Sequence, residues 1–141
     1  MAMNKPQKKI NLELFFSALA DRTRQRLLNL MGDDEVCVCF FVEVLQTNQP
    51  KISRHLAYLR KAGIVRARKE GLWMHYRIAE TSDEDVNKIL RDIRQLFEKD
   101  PEMRADRKRI INVCCSPVLP AAVQGAPIPA SLAAYNCGTR C

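Results

Sequence analysis

The most reactive chemistry in this chain belongs to sulfur. Six cysteines stand in 141 residues: Cys37-Val-Cys39, the adjacent pair Cys114-Cys115, and Cys137 and Cys141 near the end. Thiolates are soft ligands, suited to thiophilic species such as trivalent arsenic and antimony. Spacing adds a mechanism. In an ideal helix, residues two apart diverge by about 200°, whereas in an extended segment they share a face. Chelation by both Cys37 and Cys39 is therefore expected to favour unwinding at the start of the short helix beside them. A buried cysteine also serves as a small hydrophobe, and reactivity requires a lowered pKa.

A second constellation has the residue types that read nucleic acid. Gln49, Lys51, Ser53, Arg54, His55, Tyr58 and Arg60 fall on one segment. Amides and guanidiniums reach base edges, while hydroxyls and cations hold phosphates. Arg66, Arg68, Lys69 and Arg77 follow on a hairpin pattern with Gly71 at its tip, and from Thr47 to Arg77 the only acidic residue is Glu70. The net charge of +7 fits a polyanionic partner, and here the positive charge is concentrated in one region. The only histidines, His55 and His75, lie in that region. They read as phosphate contacts or packed rings before they read as metal ligands.

The elements that must position these groups follow from periodicity and capping. Leu12 to Ala20 has helical spacing. Asp21 caps a second helix, Arg22 to Met31, with Gly32 just past its end. Val38 to Leu45 is a short helix with Phe41, Val42 and Leu45 inward. Asn48 caps the next, with Pro50 in its first turn and Ile52, Leu56 and Leu59 buried. Ile64 to Lys69 and Trp73 to Ala79 form a hairpin. Thr81 and Glu84 make a capping box for a long helix striped by Val86, Ile89, Leu90, Ile93, Leu96 and Phe97. Glu102 to Ile111 is one more helix. From Val113 onward Ala, Pro and Gly predict a flexible tail.

The expected fold is mainly α with a small β-hairpin, a winged helix-turn-helix. Residues 6–101 are expected to form the DNA-binding domain, and residues 102–141 a cysteine-containing extension, flexible beyond about 113. No apolar run approaches the ~20 residues of a membrane span, and no signal-peptide pattern opens the chain. A reducing cytoplasm, with all six cysteines as thiols, is the expected setting. No phosphate loop, carboxylate pair or Ser/His/Asp set suggests an enzyme. One residue between Cys37 and Cys39 also departs from the redox motif with two.

Ala18-Leu-Ala-Asp-Arg-Thr-Arg24, Glu35-Val-Cys-Val-Cys39, Gln49-Pro-Lys-Ile-Ser-Arg-His-Leu56, Leu59-Arg60 with Gly63, and Gly71-Leu-Trp-Met-His-Tyr-Arg77 resemble the ArsR (ArsR/SmtB) family of metal-responsive repressors. The resemblance covers roughly Leu12 to Phe97. It implies a repressor that binds double-stranded operator DNA as a homodimer. Dimerisation would run through the helix from Thr81 to Lys99 and the first helix, and As(III) or Sb(III) would act as inducer, with no catalytic cofactor. Arg22 stands where relatives commonly have proline, and Asp21 still caps. Arsenic sensors of this kind carry Cys-Val-Cys-x-x-Cys, and here Val42 takes the third place.

A third thiolate would therefore come from Cys114 or Cys115 of either subunit, or from Cys137 or Cys141. Alternatively Cys37 and Cys39 suffice for an arsenical with one organic substituent, or the later cysteines form a separate site. The terminal helix lacks the histidines used by zinc-sensing relatives. Two alternatives dispense with the metalloid: a redox-responsive winged-helix regulator, or a structural zinc site of Cys37, Cys39, Cys114 and Cys115.

Overall fold

The computed structural model describes residues 9–133. In chain order the elements are α1 (Leu12–Leu19), α2 (Arg22–Met31), β1 (Val36–Cys37), α3 (Val38–Leu45), α4 (Gln49–Lys61), β2 (Val65–Glu70), β3 (Trp73–Ile78), α5 (Glu84–Phe97) and α6 (Pro101–Cys114). A 3-10 turn at Ala121–Val123 and a short α7 (Ala130–Ala133) complete the described chain. The strands form one antiparallel sheet in the order β1-β3-β2. The expected hairpin thus gains a third strand, with Val36 opposite Tyr76 and Cys37 opposite His75.

Local chemistry sets the helix starts. The Asn11, Asp21 and Asn48 side chains accept from the backbone N–H groups of Leu14, Arg24 and Lys51. Each such cap is worth about 1 kcal/mol. Pro50 sits in the first turn of α4, where its missing donor matters little. The capping box expected at Thr81 is corrected. Asp83 caps α5, accepting from Asp85 and Val86, while Thr81 exchanges hydrogen bonds with the Asn87 side chain. The carboxylate nearer the helix takes two orphan donors at once, and the threonine is diverted to a buried amide.

Leu27, Leu28, Met31, Phe40, Phe41, Ile52, Leu56 and Leu59 form the centre of a single core. α6 joins it through Met103, Ile110 and Cys114, packing against α2 and α3. Asp106, fully buried, accepts from Arg26 Nε at 2.7 Å and Nη2 at 2.9 Å, which fastens α6 to α2. The region read as a separate extension from residue 102 therefore shares the core of the winged helix. Past Cys115, where the composition suggested flexibility, Val123, Ala126 and Leu132 are buried and the 3-10 turn lies against α3. The Ser131 backbone N–H and hydroxyl both donate to the Asp34 carboxylate. Cys137 and Cys141 lie outside the described residues.

Leu12 and Phe16 on α1 and Leu96 on α5 remain exposed, an apolar surface at the two elements expected to dimerise. Among the described residues, no helix is long and apolar enough to cross a membrane.

Candidate nucleic-acid interface and thiol pair

Because α4 buries Ile52, Leu56 and Leu59, its remaining faces carry polar groups outward. Gln49, Lys51, Ser53, Arg54, Tyr58 and Arg60 are all exposed, and His55 is half-buried. α3 packs against α4 in the helix-turn-helix arrangement. On the hairpin, Arg66 and Arg77 face each other across the strands, both exposed. Like charges directly opposite destabilise a sheet by about 0.2–1 kcal/mol, a penalty that a bound polyanion would reverse. Lys69 and Gly71 are also exposed, and Gly71 turns the tip with φ of 59°. Arg68 is different. Its Nε lies 2.9 Å from Glu35 and its Nη1 2.6 Å from Glu70, so two carboxylates share its charge.

Three residues that the sequence reading did not assign to this surface brace it. Arg24, from α2, lays its guanidinium over the Tyr58 ring at 4.2 Å and brings Nη1 within 3.3 Å of His55 Nδ1. Asp21 Oδ1 is 3.7 Å from the same nitrogen. Glu35 pairs with Arg68 as described. Nothing local singles out Arg24 from Arg22 and Arg26, which share its helix; only the tertiary fold turns it towards α4. The His55 pKa is pushed below the ordinary histidine value by burial. Asp21 pulls the other way, and Arg24, Lys51 and Arg54 add to the depression.

His75 is a packed ring. It is buried on β3, and among the described residues its Nε2 has no hydrogen-bond partner.

Cys37 is the last residue of β1 and the N-cap of α3, with φ of −68° and ψ of 141°, and Cys39 lies in the first turn. Their sulfurs are 3.1 Å apart, Cys39 donating to Cys37. The expectation that joint capture favours unwinding is thereby corrected. Pairing with β3 holds Cys37 outside the helix in extended backbone, so the two thiols already converge. The bond from Cys39, helped by the backbone N–H groups of Cys39 and Val38, overcomes burial and lowers the Cys37 pKa to about 7. The same bond, burial and the Cys37 charge push Cys39 well above the ordinary thiol range. Near neutral pH the two sulfurs hold one proton between them. Two convergent soft donors, one already a thiolate, fit a trivalent metalloid.

The later cysteines stand apart. Cys114 is buried at the end of α6, and Cys115 is disulfide-bonded, which corrects the expectation of six thiols. Cys115 as a ligand would first need reduction. Among the described residues, no three Cys, His, Asp or Glu side chains gather into a site for a metal ion.

Comparison with known proteins agrees with this geometry. Residues 21–67 match the model of the bacterial regulatory protein, arsR family. The chain is 42% identical over 81 residues to the arsenic resistance transcriptional regulator ArsR1 of Pseudomonas putida, covering 57% of this chain and 63% of that protein. It is 48% identical over 65 residues to the arsenical resistance operon repressor of Escherichia coli, covering 45% and 56%. Less than two thirds of either relative is thus spanned. An uncharacterized HTH-type transcriptional regulator of Methanocaldococcus jannaschii is 40% identical over 79 residues, covering 55% of this chain and 89% of that one. Among solved structures, the homodimeric winged helix-turn-helix DNA-binding domain of a possible ArsR-family regulator from Mycobacterium bovis superposes with a TM-score of 0.52 at 27% identity, over 62% of this chain and 79% of that one. With its winged helix-turn-helix and these relatives, the chain belongs to the ArsR family of bacterial regulatory proteins.

Proposed function

We propose that the protein is a cytoplasmic transcriptional repressor that binds operator DNA as a homodimer and lets go when Cys37 and Cys39 take up trivalent arsenic or antimony. The observation that carries this reading is the thiol pair, 3.1 Å apart at the start of α3, the helix packed against α4. Two As–S bonds would replace two As–O bonds of arsenous acid; one departing hydroxyl would leave as water with the proton the pair shares, and the other as water with a proton taken from solvent. The remaining position would keep a hydroxyl, an organic substituent, or a thiolate of Cys114 or reduced Cys115 from either subunit. The names of the relatives support the inducer, and the homodimeric neighbour and the exposed Leu12, Phe16 and Leu96 support the dimer. DNA contacts are assigned to Gln49, Lys51, Ser53, Arg54, His55, Tyr58, Arg60, Arg66, Lys69, Gly71 and Arg77. Arg68 joins them through charge it shares with Glu35 and Glu70.

Ligand effects of about 1–3 kcal/mol on a coupled site are typical, which corresponds to a loss of roughly 5- to 150-fold in operator affinity. A gel shift on the DNA immediately upstream of the coding region, with and without arsenite, tests this. Cys37→Ser and Cys39→Ser should retain the shifted band and lose the response. Normal release by both variants would place the inducer site elsewhere. The same proximity of sulfurs also favours a second reading, oxidation of the pair by peroxide. Release by peroxide but not arsenite would select it. The structural-zinc alternative has less support, since the structure does not gather Cys114 and Cys115 with the thiol pair.

A further inference from the structure

Arg24 is more than a surface cation. Its guanidinium spends its donors inward: Nε donates to the Ala18 carbonyl at 2.8 Å and Nη2 to the Ser17 carbonyl at 3.0 Å. These carbonyls belong to the last turn of α1, where helix acceptors run short of i+4 donors; Ser17 also accepts from the Ala20 N–H. The remaining face and nitrogen meet α4, over Tyr58 at 4.2 Å and beside His55 Nδ1 at 3.3 Å. Asp21 completes the joint by capping the Arg24 N–H at 3.0 Å. One side chain therefore touches the end of α1, the start of α2 and the middle of α4. From this geometry we infer that Arg24 is the positioning residue of the recognition helix, fixing α4 against the end of α1 so that His55 and Tyr58 meet DNA in one orientation.

The contact also selects a tautomer. A guanidinium is a donor only, so His55 Nδ1, facing it at 3.3 Å, acts as acceptor and the ring proton sits on Nε2. Asp21, at 3.7 Å, would favour a proton on Nδ1, but it is the more distant group. Burial and the cations Arg24, Lys51 and Arg54 hold the ring neutral. His55 is thereby kept as a neutral donor through Nε2, suited to a phosphate or base acceptor. Since α1 carries the exposed Leu12 and Phe16 and also packs directly on α4, this guanidinium adds a polar link between the proposed dimer surface and the recognition helix.

The inference rests on the DNA-binding reading, and the test separates the two. The full chain, wild type and Arg24→Gln, is titrated with the upstream duplex and with a random duplex of equal length, across a range of salt. Absence of preference for the upstream duplex in the wild type would overturn the DNA-binding reading and this inference with it. With preference established, Arg24→Gln should bind the upstream duplex on the order of tenfold more weakly, the size of one lost cation–π contact and charged hydrogen bond. Its binding to random DNA and its salt slope should be unchanged. A slope reduced by about one would make Arg24 a direct phosphate contact and refute the positioning role. By NMR the His55 pKa should rise in Arg24→Gln, a change that a generic packing role would not produce. If Arg24→Gln does not fold, Arg24→Lys and Tyr58→Leu carry the test. Arg24→Lys should recover part of the discrimination, because a cation remains over the ring, and Tyr58→Leu should lose it. Wild-type discrimination in Tyr58→Leu, or no recovery at all in Arg24→Lys, would sink the idea.

Discussion

Raising the pH from about 6 to about 10 should carry the stability of this fold over a maximum set by the Cys37–Cys39 pair. In the unfolded chain both thiols titrate near 8.5. In the folded chain the first proton leaves near pH 7, from Cys37, and Cys39 holds the second to well above the ordinary range. Cys37, with its depressed pKa, contributes stability that is present above about 8.5 and lost as the pH falls through about 7. Cys39, with its raised pKa, contributes stability that is present below about 8.5 and lost as the pH climbs towards its folded value. Between about pH 7 and 8.5 the unfolded chain binds more protons, so stability rises with pH. About 1.5 pH units at 1.36 kcal/mol each gives a gain of about 2 kcal/mol. Above that window the unfolded chain sheds its second proton and the gain is reversed. The carboxylates with lowered pKa values, Asp21, Asp33, Glu35 and Asp100, finish titrating far below this window, and His55 is shifted downward out of it. The assay is urea unfolding under reductant at closely spaced pH, for wild type and Cys37→Ser. Subtracting the variant's profile removes titrations common to both. Parallel profiles from pH 7 to 8.5 would refute the shared-proton account of the pair.

Asp106→Asn should destabilise the fold by about 2–4 kcal/mol in urea unfolding, because Arg26 loses its buried carboxylate and keeps only partial access to water. A single cooperative transition in that experiment also checks that α6 belongs to the core. Truncation after Cys115 should shift Trp73 emission to the red, since Gly125 runs beside its ring, where an added Cβ would meet Cζ2 at 3.8 Å, and departs with the tail; Trp73 is the chain's only tryptophan. Phe16→Glu should yield a monomer in sedimentation analysis, with weakened operator binding. Arg54→Gln should lower the slope of log affinity against log salt by about one per subunit, the signature of a lost phosphate contact.

What could be read from the sequence was local. Asp21, Asn48, Pro50 and Gly32 each act on backbone within a few residues, and the structure has them where their types predicted. The α4 surface followed from subtraction, because the periodicity of Ile52, Leu56 and Leu59 fixes which positions remain outward. Apart from the cap of α5, where Asp83 takes the place expected of Thr81, the misreadings involve partners distant in sequence. β1 is two residues long and exists through pairing with Tyr76 and His75, so nothing near Cys37 announced it. Without that strand nothing fixes Cys37 in extended backbone beside a helix starting at Val38, so ideal helical spacing predicts that the two thiols diverge. In the tail, Val123 and Leu132 are too sparse for any period, and Pro and Ala between them read as flexibility. Their burial depends on surfaces of α3 and α6 that the sequence does not display. Arg24 shows the same limit, since three arginines alternate along α2 and only the fold tells which faces α4.

The placement of the thiols explains why a small ligand would have leverage on the proposed reading. Cys37 belongs to the sheet and Cys39 to α3, with no linker between them. A metalloid held by both would staple the strand to the helix. From the strand side, Cys37 stands opposite His75, which stands opposite Arg68 on the hairpin, and Glu35 reaches the same arginine. From the helix side, α3 lies against α4. Both elements assigned to DNA thus meet at one joint. On the proposed reading, replacing a hydrogen bond with two bonds to a shared atom would shift that joint, and the hairpin and the recognition helix would no longer both keep their places on the duplex. Loss of the inducer response should therefore follow from freezing the joint as well as from removing a thiol. An engineered cross-link between α3 and α4 that preserves both cysteines should bind arsenite and still hold DNA; release despite the cross-link would show that the signal leaves through the hairpin alone.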